Sequence, residues 1–196
     1  VRPIGEPEGG APGMLTSEPG VYWCWAPIHF KNFCTQFGTF EDRDGKSTQL
    51  SGDILPLYQH HSEMPEQGTA KSLSALSHSI KWNAGTRWAK GATINGVTED
   101  GEDFKLELET MGPKFYCKGI GYQHDEWKHG VWKGEAETGY EVWDLDQINA
   151  GDYTFFHTHQ IVKATLGDEM GFGTLENLVI GRHAPSGFDD FFDGAK

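Results

Sequence analysis

The sequence lacks several things whose absence narrows what it can be. No apolar run approaches the ~20 residues that a membrane-crossing helix needs, which argues against an integral helical membrane protein. Basic residues are scarce, 16 against 29 acidic ones. The resulting net charge of −13 disfavours nucleic acid and anionic lipid as partners, since both call for a basic surface. Cysteine is limited to Cys24, Cys34 and Cys117, without a C-x-x-C pair. That sparse, odd set fits buried thiols in a reducing, cytoplasmic compartment better than a disulfide framework. There is no G-x-S-x-G, no P-loop and no dinucleotide glycine signature. The HAPSG segment at 183–187 holds a serine that nothing in the sequence marks as activated. No segment sustains a 3.6-residue apolar period, so little helix is expected.

What is present reads as strand and turn. Glycine is abundant, at 26 residues, and aromatics make up 13% of the chain. Residues 1–19 are rich in Pro, Gly and Glu and are expected to form a linker or arm, with the folded domain over 20–188 and a turn-forming acidic tail over 189–196. No leader is recognisable, and because the chain begins with Val1 it is expected to be processed or a piece of a longer protein. In VYWCWAPIHF, Tyr22 and Cys24 fall on one strand face and Trp23 and Trp25 on the other, with Pro27 expected to end the strand. A hairpin follows around Asp42-Arg43-Asp44-Gly45, and another around Glu99-Asp100-Gly101. In the latter, Phe104, Leu106 and Leu108 alternate with Lys105, Glu107 and Glu109, giving one buried and one wet face. SLSALSHSIKW, GYEVWDL, YTFFHTHQIVKATLG and GFGTLENLVIG add further strand-like runs. Roughly eight to eleven short strands at even spacing predict an all-β antiparallel barrel or sandwich.

The densest stretch for chemistry is Lys118–Glu135, KGIGYQHDEWKHGVWKGE. It places Tyr122, His124, Trp127, His129 and Trp132 among glycines, as the wall or mouth of a pocket for an apolar or ring-shaped ligand would require. The competing reading is a well-packed hairpin with solvated histidines. His124, His129, Glu135 and Glu176 are the candidate acid–base groups, with His29, Glu41 and Asp42 as further proton-exchanging side chains. Which face Glu176 takes depends on strand register. Tyr22, Trp23, Trp25, His29, Tyr122, Trp127, Trp132, His157 and His159 are the candidate substrate-binding residues. His157 and His159, two apart on a strand, point the same way, as in β-barrel metal sites. A cupin-type site would then need an acid three or four residues on, where Lys163 and Ala164 stand, so no metal and no cofactor are expected.

With these residues laid out, the chain resembles the lipocalin-like superfamily that includes carotenoid 1,2-hydratase (hydroxyneurosporene synthase) and related paired-barrel bacterial proteins. The matching pieces are YWCWAPIHF at 22–30, FEDRDG at 40–45, GTRWAKGA at 85–92, GIGYQHDEWKHGVWKGE at 119–135 and TLENLVIGRHAPSGF at 174–188. The resemblance implies an up-and-down barrel with an apolar cavity, corresponding mainly to the C-terminal half of a two-barrel protein whose N-terminal barrel is missing or very different; a missing barrel half or a homo-oligomer is the expected partner. It also implies addition of water to an isoprenoid double bond, with no catalytic residue carried over by position. The expected function is therefore a cofactor-independent lyase or isomerase of the hydration/dehydration type, acting on a hydrophobic, isoprenoid or phenolic molecule in an aromatic-lined barrel cavity. The alternatives are a non-catalytic carrier of a hydrophobic ligand and a glycan-binding β-sandwich.

Overall fold

A computed structural model of the chain describes residues 21–57, 70–112, 115–116, 126, 132–152 and 155–196. Among the described residues ten antiparallel strands form one sheet: β1 (Val21–His29), β2 (Phe33–Glu41), β3 (Ser47–Pro56), β4 (Lys71–Ser72), β5 (Ser74–Trp82), β6 (Ala89–Val97), β7 (Asp103–Thr110), β8 (Phe115–Tyr116), β9 (His157–Leu166) and β10 (Glu169–Ile180). Their order is β4-β3-β2-β1-β10-β9-β7-β6-β5, with β8 added on β9. The sheet curls into a nearly closed barrel of the lipocalin-like kind, and the described residues contain no α-helix. This is one sheet folded on itself, so the sandwich alternative falls. None of the described residues forms a helix long and apolar enough to cross a membrane.

The first strand closes against the last, Tyr22 opposite Val179 and Cys24 opposite Asn177. The open seam therefore lies between β3 and β5, inside the chain. There the Leu73 amide donates to the Gly52 carbonyl at 2.8 Å. Leu73 and Leu76 pack onto Gly52, where a Cβ would sit 2.9 Å from Leu76. Period-2 alternation fills the inside. Tyr22, Cys24, Ala26 and Ile28 of β1 and Phe104, Leu106 and Leu108 of β7 are buried together in one core cluster. The tight turns at Gly45 and Gly101 both take φ of +82°, which glycine adopts without steric cost.

Two expectations need correction. Pro27 does not end its strand: β1 runs on to His29, and only the β1–β10 pairing lapses at Ala26 and Pro27, with the register kept on either side. GYEVWDL is not a strand. Asp144 caps a 3₁₀ turn at Leu145–Gln147 by accepting from the Asp146 amide at 3.1 Å, and Tyr140, Val142 and Leu145 are exposed, with no apolar face to bury.

The tail returns to the barrel end through Arg87, whose side chain is 0% exposed. Its guanidinium donates to the Gly181 carbonyl at 2.6 Å, the Asp190 carbonyl at 2.7 Å and the Asp193 carboxylate at 2.6 Å. It also lies between the Phe156 and Phe188 rings, 4.7 and 4.3 Å from their centroids.

Candidate functional site

The strand pairing produces two clusters of imidazole and carboxylate, one on each face of the sheet. On the inner face, at the barrel end closed by the 183–188 loop, Glu41 is the hub. Thr39 Oγ1 donates to its Oε1 at 3.2 Å, and His183 Nε2 lies 3.1 Å from its Oε2. His183 Nδ1 is 2.8 Å from Ser186 Oγ, so with the proton on Nε2 for Glu41 the hydroxyl donates to Nδ1. The Tyr22 ring stacks on His183 at 4.1 Å, and its hydroxyl reaches His78 Nε2 at 2.7 Å. Burial pushes the Glu41 carboxyl up, but the hydrogen bond from His183 and the nearby imidazoles outweigh it and hold it below its ordinary value. Burial lowers His78, with Glu41 opposing only in part. Burial, with Cys24 and Glu41, raises Tyr22 well above its usual value, so it stays a donor. Cys24 is pushed up to about 12 by burial, which leaves its thiol inert.

Ser186, His183 and Glu41 have the order of a nucleophile triad. The loop, however, spends its amides internally: Ser186 N on the His183 carbonyl at 3.2 Å, Gly187 N on Ala184 at 3.0 Å, and Phe188 N on His183 at 3.1 Å. That leaves no pair of donors at the loop for an oxyanion. This inner cluster pins the loop to the barrel.

On the outer face the antiparallel register sets Trp23, Leu178 and His157 in one row and Trp25, Glu176 and His159 in the next. Gly38 stands opposite Trp25, where a Cβ would meet the Trp25 and Trp23 indoles at 3.6 and 3.9 Å, ordinary contact distances. Glu176 Oε1 is 2.7 Å from His157 Nε2 and 3.4 Å from His159 Nε2. The side chains are 5% (His157), 13% (Glu176) and 29% (His159) exposed, so the cluster opens to solvent on the His159 side. Burial pushes Glu176 up, but hydrogen bonds from His157 and Trp23 and the two imidazoles hold it below its ordinary value. Burial lowers His159, which favours the neutral base. A carboxylate shared by two imidazoles can hold, pass or accept a proton, or hold a cation.

The structure thus gathers Trp23, Trp25, His157, His159 and Glu176. It separates them from Tyr22, which is buried in the core on the other face, correcting its placement beside the tryptophans in a ligand pocket. The paired indoles face out, so Trp23 and Trp25 do not line the barrel interior, where the inward apolar residues form one core cluster. His29 is exposed at the far end of β1, opposite Cys34 and Phe172. Glu135 is exposed and Trp132 is 80% exposed, so neither lies in a desolvated aromatic wall. Tyr122, His124, Trp127 and His129 lie outside the described residues. Sequence reasoning missed His78, His183 and Arg87. Only His78 carried a usable signal, since it shares its strand face with Leu76 and Ile80.

Fold and cluster together define a nearly closed antiparallel β-barrel with a His-His-Glu centre beside two tryptophans on its outer face. The chain belongs to a family of unknown function, DUF8625, whose model matches residues 1–189. No curated protein and no solved structure matches it.

Proposed function

We propose that this protein is a small-molecule lyase or isomerase of the hydration/dehydration type, working on a hydrophobic, isoprenoid or phenolic substrate by acid–base chemistry at Glu176, His157 and His159. One observation carries the reading. A single carboxylate oxygen lies within 2.7 and 3.4 Å of two imidazole nitrogens on a sheet face that also bears Trp23 and Trp25. Moving a hydroxyl on or off a carbon skeleton needs one group that accepts a proton and another that delivers it, and indole faces nearby to shelter an apolar skeleton or a developing cation. His159, the most open of the three, is the group in reach of substrate; Glu176 orients it and His157 backs the carboxylate. The lipocalin-like resemblance to carotenoid hydratases is consistent with this chemistry.

The test is turnover of isoprenoid and phenolic alkenes and their alcohols, followed by product mass, in wild type and in Glu176→Gln and His159→Gln. Loss of about 10²–10⁴-fold in both variants, with folding intact, is expected. Unchanged turnover would place the chemistry elsewhere. Ligand retention without turnover would make the protein a carrier using the Trp23/Trp25 surface alone.

A further inference from the structure

A His-x-His strand pair looks for its acid further along the same strand, where this chain has Lys163 and Ala164. The fold supplies the acid from the neighbouring strand. β10 runs antiparallel to β9 and sets Glu176 directly opposite His159, with Leu178 opposite His157. We infer that His157, His159 and Glu176 form a binding site for one divalent transition-metal ion, with zinc the natural fit. The inference uses the same side chains as the acid–base reading but does not depend on any turnover.

Three observations carry it. One ligand atom from each residue, a ring nitrogen of either histidine and a carboxylate oxygen, all lie within 4.8 Å of one another. Tetrahedral zinc with bonds of about 2.0–2.2 Å holds its ligand atoms about 3.3–3.5 Å apart. The His159–Glu176 separation of 3.4 Å already meets that spacing, and the His157–Glu176 separation of 2.7 Å has only to open by a fraction of an ångström. Second, all three side chains sit on paired β9 and β10 rungs, so the backbone positions are set by the ladder rather than by a loop. Third, the carboxylate is held by a hydrogen bond from the Trp23 side chain, the outer-shell support that orients a ligating carboxylate. His157, by contrast, has a buried Nδ1 with no partner among the described residues, so its one engaged nitrogen is the one turned into the cluster. Two imidazoles and one carboxylate suit zinc or iron(II) and leave at least one position open. Here that position lies on the His159 side, where the cluster meets solvent.

The experiment uses the full chain without a histidine tag, stripped with a chelator, then titrated with zinc chloride by calorimetry and with cobalt chloride by visible absorption. One equivalent of each metal is expected, with cobalt bands of four- or five-fold coordination. Glu176→Gln and His159→Gln should each weaken zinc binding by more than about 100-fold, and Trp23→Phe by about 10-fold, the range of an outer-shell loss. Replacing His60 and His61, an adjacent pair elsewhere in the chain, should leave the titration unchanged. Denaturation midpoints of the Gln variants confirm that they are folded. Zinc titrations identical in wild type, Glu176→Gln and His159→Gln would overturn the site, and so would less than one equivalent bound. Turnover that survives chelation alongside such a result would sink the cation while leaving the acid–base reading standing. Stoichiometric zinc lost in the variants, without turnover on any substrate, would do the reverse.

Discussion

The two faces of β1 and β10 carry the same side-chain types to opposite ends. Inside, Glu41 is surrounded by Thr39, His78 and His183, and His183 spends its second nitrogen on Ser186. Outside, Glu176 offers one oxygen to two imidazoles beside a pair of indoles, and His157 keeps a nitrogen without a partner among the described residues. A buried polar network with most of its members satisfied rigidifies a fold, because breaking it strands a desolvated group. A cluster with spare capacity next to solvent is where a substrate or an ion can bind. Replacing a residue of the first kind should therefore cost stability, and one of the second kind function.

The largest effect is expected at the barrel end that supports the inner cluster. Arg87→Leu strips the buried partner from Asp193 and from the tail carbonyls, and should destabilise by about 3–5 kcal/mol in denaturant unfolding. Glu41→Gln should cost about 2–3 kcal/mol while leaving zinc titration and turnover unchanged, because it removes charge-assisted bonds on the inner face only. An equal loss of activity there would erase the distinction between the faces.

Acid should reveal the same cluster. The unfolded chain takes up protons on His78 near its ordinary 6.5 and on Glu41 near its ordinary 4.5, whereas the fold holds both below those values. The unfolded state thus binds more protons as pH falls, and stability rises with pH in that window. The share carried by His78 and Glu41 should be full above pH 6.5, fall as pH drops through 6.5, and fall again below 4.5 until the folded-state values are passed. His78 faces Tyr22, Glu41 and His183, and His78→Gln, which can still accept from Tyr22, should flatten the upper part of that slope in denaturation midpoints.

On the outer face Glu176→Gln should change stability by only about 1 kcal/mol, since the carboxylate is partly solvated. A stability loss matching that of Glu41→Gln would show the outer cluster to be structural. Smallest of all, Trp132→Ser should shift unfolding by less than about 0.5 kcal/mol and leave turnover untouched. A fall in turnover would extend the site into the 119–135 stretch.

Much of the barrel was legible beforehand because strand alternation is local. Phe104, Leu106 and Leu108 against Lys105, Glu107 and Glu109 needed no partner strand to be read, and the Gly45 and Gly101 turns announced themselves by their residues. GYEVWDL misled because apolar residues at period 2 say nothing about whether a face exists to receive them. His157 and His159 were seen as a same-side pair. Their acid was sought along the chain, because sequence spacing cannot show which residue lies opposite on the next strand. Nothing in the sequence marked Arg87, since burial of its guanidinium depends on carbonyls about a hundred residues away in the tail.

By itself the amino-acid sequence determined that the fold would be all-β, which residues of a strand would share a face, and where the Gly45 and Gly101 turns would fall. Those are consequences of backbone geometry and side-chain type within a few residues. Tertiary structure alone decided which face of β1 became the core and that Glu176 would stand across from His159. It also decided that Glu41 would meet two histidines distant in the chain. Pairing register is set by the closure of the whole sheet, and a shift of one residue would have exchanged the two faces.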